Sequence, residues 1–311
     1  MIDFPITELL DASICMIWLE RHLHPDGFVC PHCGSTNRRL FRQQKHFPAY
    51  RCRDCDGYYT LLSNTAFEKT RQLPATLVLL LRGITKGEST ARLARELGLS
   101  RKQMHNLRQR VQTNLDEMAP TELMQGATFE ADEIYQNAGE KSTPHHDPND
   151  PPRRRANKAR GRGTYANDRV PIIHLVSRES GEHRFWVCDH ADKRTCHELI
   201  DENIPSGSTV LYTDEASSYP GCHPMHGTVR HSAGEWARDD DGDGKREVHC
   251  NTCEGAGAAL RTYLRMFRGV HKAYLHLYVA TYEVLLNAKQ LTAALVRRMC
   301  FGDLSAHTNY T

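Results

Sequence analysis

The chain has 311 residues, of which 39% are hydrophobic and 25% are charged. It is too long for one small module, and its composition is that of a soluble globular protein with two or three domains. No apolar run approaches the ~18 residues of a membrane helix, and the first residues lack the order of a signal peptide, which predicts a cytoplasmic protein rather than a membrane or exported one.

Charge is distributed unevenly along the chain, although the net charge is only +2. Basic residues crowd the segments 38–53, 101–110 and 153–162, whereas acidic residues concentrate at 238–244. Separated basic patches favour a polyanionic partner. The eleven cysteines are an odd number in a chain without an export signal, which argues against a disulfide framework.

Two CxxC pairs lie in residues 29–72, after residues 1–28, whose apolar spacing predicts one or two N-terminal helices. The four cysteines are Cys30, Cys33, Cys52 and Cys55. Each pair aims two thiolates inward from a tight turn, and the hairpin-length spacer between the pairs predicts a zinc ribbon. A closed four-sulfur site has no open position, so this Zn²⁺ is expected to be structural, while the basic hairpin touches phosphates.

Residues 73–118 have the pattern of a helix-turn-helix. Gly98 marks the end of one helix, and Ser100 is placed to cap the next. The outer face of this second helix is predicted to expose side chains suited to base edges and phosphates in the major groove of double-stranded DNA. They are Arg101, Lys102, His105, Asn106, Arg108 and Gln109.

Residues 119–300 alternate between strand and helix patterns. Strands are predicted at 127–135, 170–177, 183–189 and 208–213, a helix at 191–203 and a helical region at 254–298. Residues 137–169 are predicted to form an exposed basic loop that offers Arg153, Arg154 and Arg155 to DNA, and residues 301–311 form a tail. This order fits a mixed α/β domain of ribonuclease H-like type.

Three carboxylates occupy positions suited to chemistry in such a domain. Asp132 on the first strand and Asp214 at the end of the fourth are expected to meet across adjacent strands, and Glu254 follows at the start of a helix. Phosphodiester cleavage suits two divalent ions ~3.5–4 Å apart, and Mg²⁺ prefers oxygen ligands. Asp132 would bridge both ions, and Arg261, two helical turns beyond Glu254, would reach a phosphate.

Five stretches carry a resemblance to a known family. They are "FEADEIYQNAGEK", "PPRRRANKARGRGTYANDR", "YTDEASSY", "GEWARDDDGDGKREVHCNTCEG" and "FRGVHKAYLHLYVATYEVLLNAK". Together they resemble the DDE-type transposases of bacterial insertion sequences that carry an amino-terminal zinc ribbon.

That resemblance implies a ribonuclease H-like catalytic domain, with Asp132, Asp214 and Glu254 as the triad and Arg261 as its basic partner. It also implies that the protein binds the terminal inverted repeats of its insertion sequence. Cleavage and strand transfer would depend on Mg²⁺ or Mn²⁺. A homo-oligomer that brings two DNA ends together and an association with the nucleoid are expected.

Two features depart from this pattern. The family tends to place a bulky aromatic residue after the acidic residue and glycine, whereas this chain continues "EGAGAAL", with Ala256 and Gly257. This keeps open the alternative of a catalytically impaired DNA-binding protein or regulator. A separate alternative is a metal-dependent nuclease without strand transfer. Some relatives use asparagine as the third ligand, so that Asn251 competes with Glu254 for that role.

Other motifs near the triad receive simpler interpretations. Cys250 and Cys253 form a further CxxC without a second pair nearby, which indicates buried thiols rather than a second zinc site. The acidic run 239–244 resembles the opening of a calcium loop, but Cys250 occupies its closing position, so an acidic turn is predicted. His249 is either a packing residue or a proton carrier or phosphate contact.

Overall fold

A computed structural model describes residues 4, 11–43, 46–117, 119–139, 146, 148, 161–207 and 209–301. The chain forms two compact units, one from the residues up to Ala119 together with those from Ala288 onward, and one from Pro120–Asn287. The boundary predicted at residue 300 differs from this division. Arg153, Arg154 and Arg155, with most of the basic loop and the tail after Phe301, lie outside the described residues.

The first unit begins with helix α1 (Ala12–Leu23) and a three-stranded antiparallel sheet. The Asp11 side chain caps α1 by accepting from the amides of Ser13 and Ile14 at 2.7 and 3.1 Å. Strands β1 (Arg38–Gln43), β2 (Pro48–Cys52) and β3 (Tyr58–Thr60) follow each other in the sheet as in the chain. Short connections between neighbouring strands therefore build this part of the fold.

The four predicted cysteines meet beside this sheet. One sulfur atom from each lies within 4.8 Å of the others, and the Sγ atoms of Cys30 and Cys55, and of Cys33 and Cys52, are 3.6 Å apart. Four thiolates around a tetrahedral Zn²⁺ would be separated by about 3.8 Å, since each Zn–S bond is about 2.3 Å. The thiols therefore fit a structural Zn²⁺.

Four helices complete the first unit: α2 (Pro74–Thr85), α3 (Thr90–Glu96), α4 (Arg101–Asp116) and the C-terminal helix (Ala293–Phe301). Ser100 and Gln103 form a capping box at the start of α4, and Gly98 before it has a φ of 66°. Helix α4 packs against α3 and the C-terminal helix. The described part of the chain contains no helix that is long and apolar enough to span a bilayer.

The exposure predicted for Arg108 is wrong. Its side chain is 0% exposed, and its guanidinium donates to the backbone carbonyl of Glu88. Arg108 follows the buried Leu107 and lies one helical turn beyond the buried Met104, which places it on the inner side of α4. Arg101, Lys102 and Asn106 are exposed as predicted, whereas His105 and Gln109 are half-buried.

The second unit contains a mixed five-stranded sheet. Its strands are β4 (Thr128–Asn137), β5 (Arg169–Ser177), β6 (His183–Val187), β7 (Val210–Thr213) and β8 (His226–Thr228). They lie in the order β6-β5-β4-β7-β8, with antiparallel pairing from β6 to β4 and parallel pairing from β4 to β8. Strand β8 was not predicted because its His-Gly-Thr sequence lacks an apolar run.

Helices cover both faces of this sheet: α5 (Lys193–Asn203), α6 (Asn251–Arg265) and α7 (Lys272–Asn287). Alternate residues of β4 belong to different cores, because successive side chains on a strand point to opposite faces. Ile134 packs with residues of α6 and α7, whereas Phe129 and Ala131 pack with residues of α5. The predicted helical region 254–298 is thus divided among α6, α7 and the C-terminal helix.

Candidate active site

The parallel pairing of β4 with β7 places Asp132, in the middle of β4, beside Asp214, which directly follows β7. Glu130 pairs with Tyr212. Asp132 lies two residues after Glu130, and Asp214 lies two residues after Tyr212. The adjacency of the first and fourth strands, which sequence reasoning assumed, is therefore present in the structure.

Asp132 lies within the electrostatic reach of the other two predicted triad members. Burial, followed by the charges of Glu133 and Asp214 and a smaller effect of Glu254, raises the pKa of Asp132 to about 7. Like charges disfavour ionisation only when they are close. The charges of Asp214 and Glu254 therefore act on Asp132 from within electrostatic range.

Strand geometry distinguishes Asp132 from its neighbour Glu133. Asp132 shares a strand face with Ile134, which packs against the helix that carries Glu254, whereas Glu133 points to the opposite face. The Glu133 carboxylate lies 3.9 Å from the guanidinium of Arg162. Of the two acidic residues, Asp132 is therefore the one that shares a face with Glu254.

The two residues predicted as the third ligand both lie in the first turn of α6. Glu254 is half-buried there, and its Oε1 lies 3.4 Å from Nδ1 of His231. Asn251 is the exposed first residue of the same helix. Glu254 stays the preferred prediction and Asn251 the alternative.

Two arginines of this unit, on α6 and at the start of β5, interact electrostatically. Arg261 is exposed on α6, and its charge, after the larger effect of burial, lowers the pKa of Arg169.

Asp214 also lines a cavity of about 490 Å³, together with Arg230, Arg238 and the carboxylates of Glu235 and Asp240. Arg238 forms ion pairs with both of these carboxylates, so its charge is already compensated within the cavity.

A fully buried carboxylate that sequence reasoning left without a role binds the start of α6. Glu130 is 0% exposed, and its oxygens accept from the amides of Thr252 and Cys253 at 2.8 and 3.0 Å. The Thr252 hydroxyl donates to the same carboxylate at 2.8 Å. Glu130 thus accepts from amides that a helix N-terminus leaves unpaired. One of these amides belongs to Cys253, the residue immediately before Glu254.

Arg178 completes this arrangement. Its Nε donates to Glu130 at 2.6 Å, and its other nitrogens donate to the carbonyls of Glu247 and His249 at 2.8 Å each. The segment that leads into α6 is therefore tied to β4. His249 has Nδ1 at 3.0 Å from Arg178 and 3.3 Å from Glu130, which supports its interpretation as a packing residue. The i, i+2 spacing of Glu130 and Asp132 on a strand is the sequence signal that could have indicated a shared face.

The glycines after Glu254 do not interrupt α6, which continues from Asn251 to Arg265. A Cβ atom on Gly257 would lie 3.0 Å from Cδ1 of Ile134, so the absence of a side chain lets the helix approach β4 closely. A Cβ atom on Gly255 would meet open space. The two glycines therefore differ in their structural importance.

We expect Gly255→Ala to increase the free energy of unfolding by about 0.5–1 kcal/mol, because alanine has the higher helix propensity and meets no neighbour there. Gly257→Ala should increase it less or decrease it, because the new methyl group crowds Ile134. Urea unfolding of both variants tests this difference. An equal gain in both would show that Gly257 is not needed for close packing.

The pKa of Asp132 predicts opposite effects of pH on stability and on cation binding. A pKa raised from 3.8 to about 7 means that the folded, cation-free protein favours the protonated acid, so its stability falls as pH rises between these values. Mg²⁺ binding requires the carboxylate and should tighten as pH rises through about 7, with release of a proton. Melting temperatures with chelator and with Mg²⁺, and calorimetry in two buffers, measure these effects. Asp132→Asn should remove both.

Comparison with known proteins agrees with this architecture. A model of the ISXO2-like transposase domain matches residues 124–283, just over half of the chain. A model of the transposase zinc-ribbon domain matches residues 11–57, which include all four ribbon cysteines. An uncharacterized protein in the transposable element ISH50 of Halobacterium salinarum is 29% identical over 264 residues, which cover 83% of this chain and 85% of that protein. The chain therefore belongs to the ISXO2-like transposase family.

Proposed function

We propose that the protein binds the terminal inverted repeats of its insertion sequence and catalyses metal-dependent DNA strand cleavage and strand transfer. The observation that carries this proposal is the position of Asp132 and Asp214, each two residues beyond the paired residues Glu130 and Tyr212, with Glu254 within electrostatic range of Asp132. The residues come from two parallel strands and a helix tied to them, so rigid elements hold the three carboxylates. Membership of a transposase family supplies the reaction class.

The donor set fits Mg²⁺ or Mn²⁺, because all three groups are carboxylates. When bound, two such ions activate the attacking oxygen and stabilise the leaving oxygen. Asp132, Asp214 and Glu254 would hold the ions. Arg261 would bind a phosphate of the DNA, and Glu130 holds the helix that carries Glu254.

The sheet supports assignment of the second unit to the ribonuclease H-like type. Three antiparallel strands precede a helix and two further strands, and the fourth strand lies beside the first. This is the adjacency on which the predicted meeting of Asp132 and Asp214 depends. We infer the fold type from this order together with the carboxylate positions.

The first unit is assigned to DNA binding. Helices α3 and α4 are joined by the short turn of residues 97–100, and the exposed side chains at the start of α4 are suited to a major groove. Strand β1 adds a second basic surface, since Arg39 and Arg42 are exposed on it. The function also requires a homo-oligomer, because two element ends must be joined to one target.

Incubation of the protein with labelled duplexes that carry the element ends, in Mg²⁺ or Mn²⁺, tests this function. Nicks at the ends followed by joined products are expected. Binding without nicking would favour the alternative of a catalytically impaired DNA-binding protein or regulator. Nicking without joined products would favour a nuclease.

We expect Arg101→Ala and Lys102→Ala each to weaken binding of the ends and to reduce the slope of log affinity against log salt concentration by about one. Their side chains are exposed, so folding should be unaffected. Arg108→Ala should instead lower the free energy of unfolding by about 1–3 kcal/mol, because it removes a buried donor to Glu88.

Fluorescence anisotropy across a salt series measures the two binding parameters. Arg194→Ala is the matched control for loss of a surface charge, since Arg194 is exposed on α5 and paired with Glu198 at 2.7 Å. An unchanged salt slope in both α4 variants would remove this helix from the DNA interface.

A further inference from the structure

A second group of metal-binding side chains shares Glu254 with the carboxylate site. His231, Cys250 and Glu254 each place one ligand atom within 4.8 Å of the others. Nδ1 of His231 lies 3.4 Å from Oε1 of Glu254, and Sγ of Cys250 lies 4.0 Å from Nε2 of the same imidazole. The group therefore combines sulfur, nitrogen and oxygen donors, unlike the carboxylate set.

The local structure holds these donors in place. Cys250 immediately precedes α6 and its carbonyl accepts from the Glu254 amide at 3.0 Å, so the two side chains lie one turn apart on one helix face. The Cys250 thiol is buried with Tyr212, Val229 and Val248. His231 begins the short 3-10 helix His231–Ala233 and is half-buried beside Trp236.

The distances suit a small tetrahedral ion. Bonds of about 2.3 Å to sulfur and 2.0–2.2 Å to nitrogen and oxygen separate neighbouring ligands by about 3.3–3.7 Å. A single ion binds one nitrogen of the imidazole, so the contacts of Nδ1 and Nε2 are not both spacings around that ion. With one ligand atom taken from each residue, the three atoms lie within 4.8 Å of one another, and small side-chain movements bring them to the required spacing. Because Glu254 is half-buried, an ion and a fourth ligand such as water can reach the group from solvent.

We propose that His231, Cys250 and Glu254 form a second transition-metal site, for which Zn²⁺ is the best-suited ion. Thiolate and imidazole select Zn²⁺ over Mg²⁺, which prefers oxygen. Binding releases the thiol proton to solvent and forms a Zn–S bond. An ion held there engages the carboxylate of Glu254, so Zn²⁺ and Mg²⁺ compete for that side chain. This competition rests on the proposed function, whereas the site itself does not.

Metal analysis of the full chain tests the site without reference to activity. After equilibration with buffered Zn²⁺ and gel filtration, the wild type should hold one more zinc ion than the ribbon alone. Cys250→Ala and His231→Ala should each lose that ion. With Zn²⁺ retained in the ribbon, added Co²⁺ should produce a thiolate charge-transfer band in the wild type that is missing in Cys250→Ala.

Two control variants make this test specific. Cys253→Ala removes a neighbouring buried thiol that is not part of the group, and it should retain the extra ion. Asp241→Asn disrupts the nearby acidic group of Asp239, Asp241 and Glu247 and should retain it as well. The proposal is overturned if the wild type binds zinc only in the ribbon, or if folded His231→Ala keeps the extra ion.

Cleavage assays test the competition between Zn²⁺ and Mg²⁺ for Glu254, whereas the metal analysis tests whether the zinc site exists. In Mg²⁺, added Zn²⁺ should inhibit wild-type cleavage, and Cys250→Ala should need at least about tenfold more Zn²⁺ for the same inhibition, since a lost ligand weakens the site by at least about 1.4 kcal/mol. Equal inhibition of both proteins would contradict the competition. A wild type that never cleaves would contradict the proposed function and leave the metal count as the test of the site.

Discussion

Replacement of Asp214 by asparagine should lower the rate of cleavage at the element ends by about three orders of magnitude, while binding of those ends persists. Asp214 directly follows β7, the strand that pairs with β4 beside Asp132. Asparagine keeps the size of the side chain but removes the charge that holds a divalent ion against a phosphate. Loss of several kcal/mol of transition-state stabilisation corresponds to a rate effect of this size.

Glu215→Gln provides the matched control. Glu215 is the next residue, is exposed, and uses its carboxylate to accept from the amide and hydroxyl of Ser232 at 3.0 and 2.9 Å. Its neutralisation should leave cleavage close to the wild-type rate. Single-turnover assays on end-labelled duplexes, with anisotropy as the measure of binding, compare the two variants. Wild-type cleavage by Asp214→Asn would place the reaction at another site.

Replacement of Glu130 by alanine should lower the free energy of unfolding of the second unit by about 3–5 kcal/mol. The change leaves the Arg178 guanidinium without its carboxylate partner and the amides of Thr252 and Cys253 without their acceptor. The Glu130 side chain that accepts from all of these groups is 0% exposed. Water therefore cannot take over its hydrogen bonds unless the surrounding structure rearranges. Denaturant unfolding followed by circular dichroism measures the loss.

The same variant should affect cleavage through the position of Glu254 rather than through DNA binding. We expect a lower maximal cleavage rate and a higher Mg²⁺ requirement at unchanged affinity for the ends. Glu179→Ala is the control, since Glu179 also accepts from two amides, of Ala127 and Thr128, but is exposed. A stability loss in Glu130→Ala no larger than in Glu179→Ala would contradict the positioning role.

Features governed by neighbouring residues were predictable from the sequence. The four ribbon cysteines meet as their spacing indicates, and Ser100 caps α4 as predicted, because tight turns and helix caps depend on residues close in the chain. The four predicted strands are present, and no predicted strand end differs from the structure by more than about two residues.

Features that depend on distant residues required the tertiary structure. Arg108 has the sequence context of an exposed recognition-helix residue, yet the carbonyl of Glu88 accepts its buried guanidinium. The role of Glu130 appears only when α6 places its amides on that carboxylate, more than a hundred residues further along the chain. Likewise, His231 joins Cys250 and Glu254 across a loop that no spacing rule describes.

The sequence by itself therefore determined the zinc ribbon, the principal helices and strands, and the identity of the three candidate carboxylates. Spacing and alternation specify such elements because they act over a few residues. Only the tertiary structure decided which of Asp132 and Glu133 lies on the sheet face covered by α6, what holds α6 at the sheet, and which histidine and thiol lie beside Glu254. These outcomes follow from strand order and helix packing, in which burial and pairing of charges between distant segments select one arrangement.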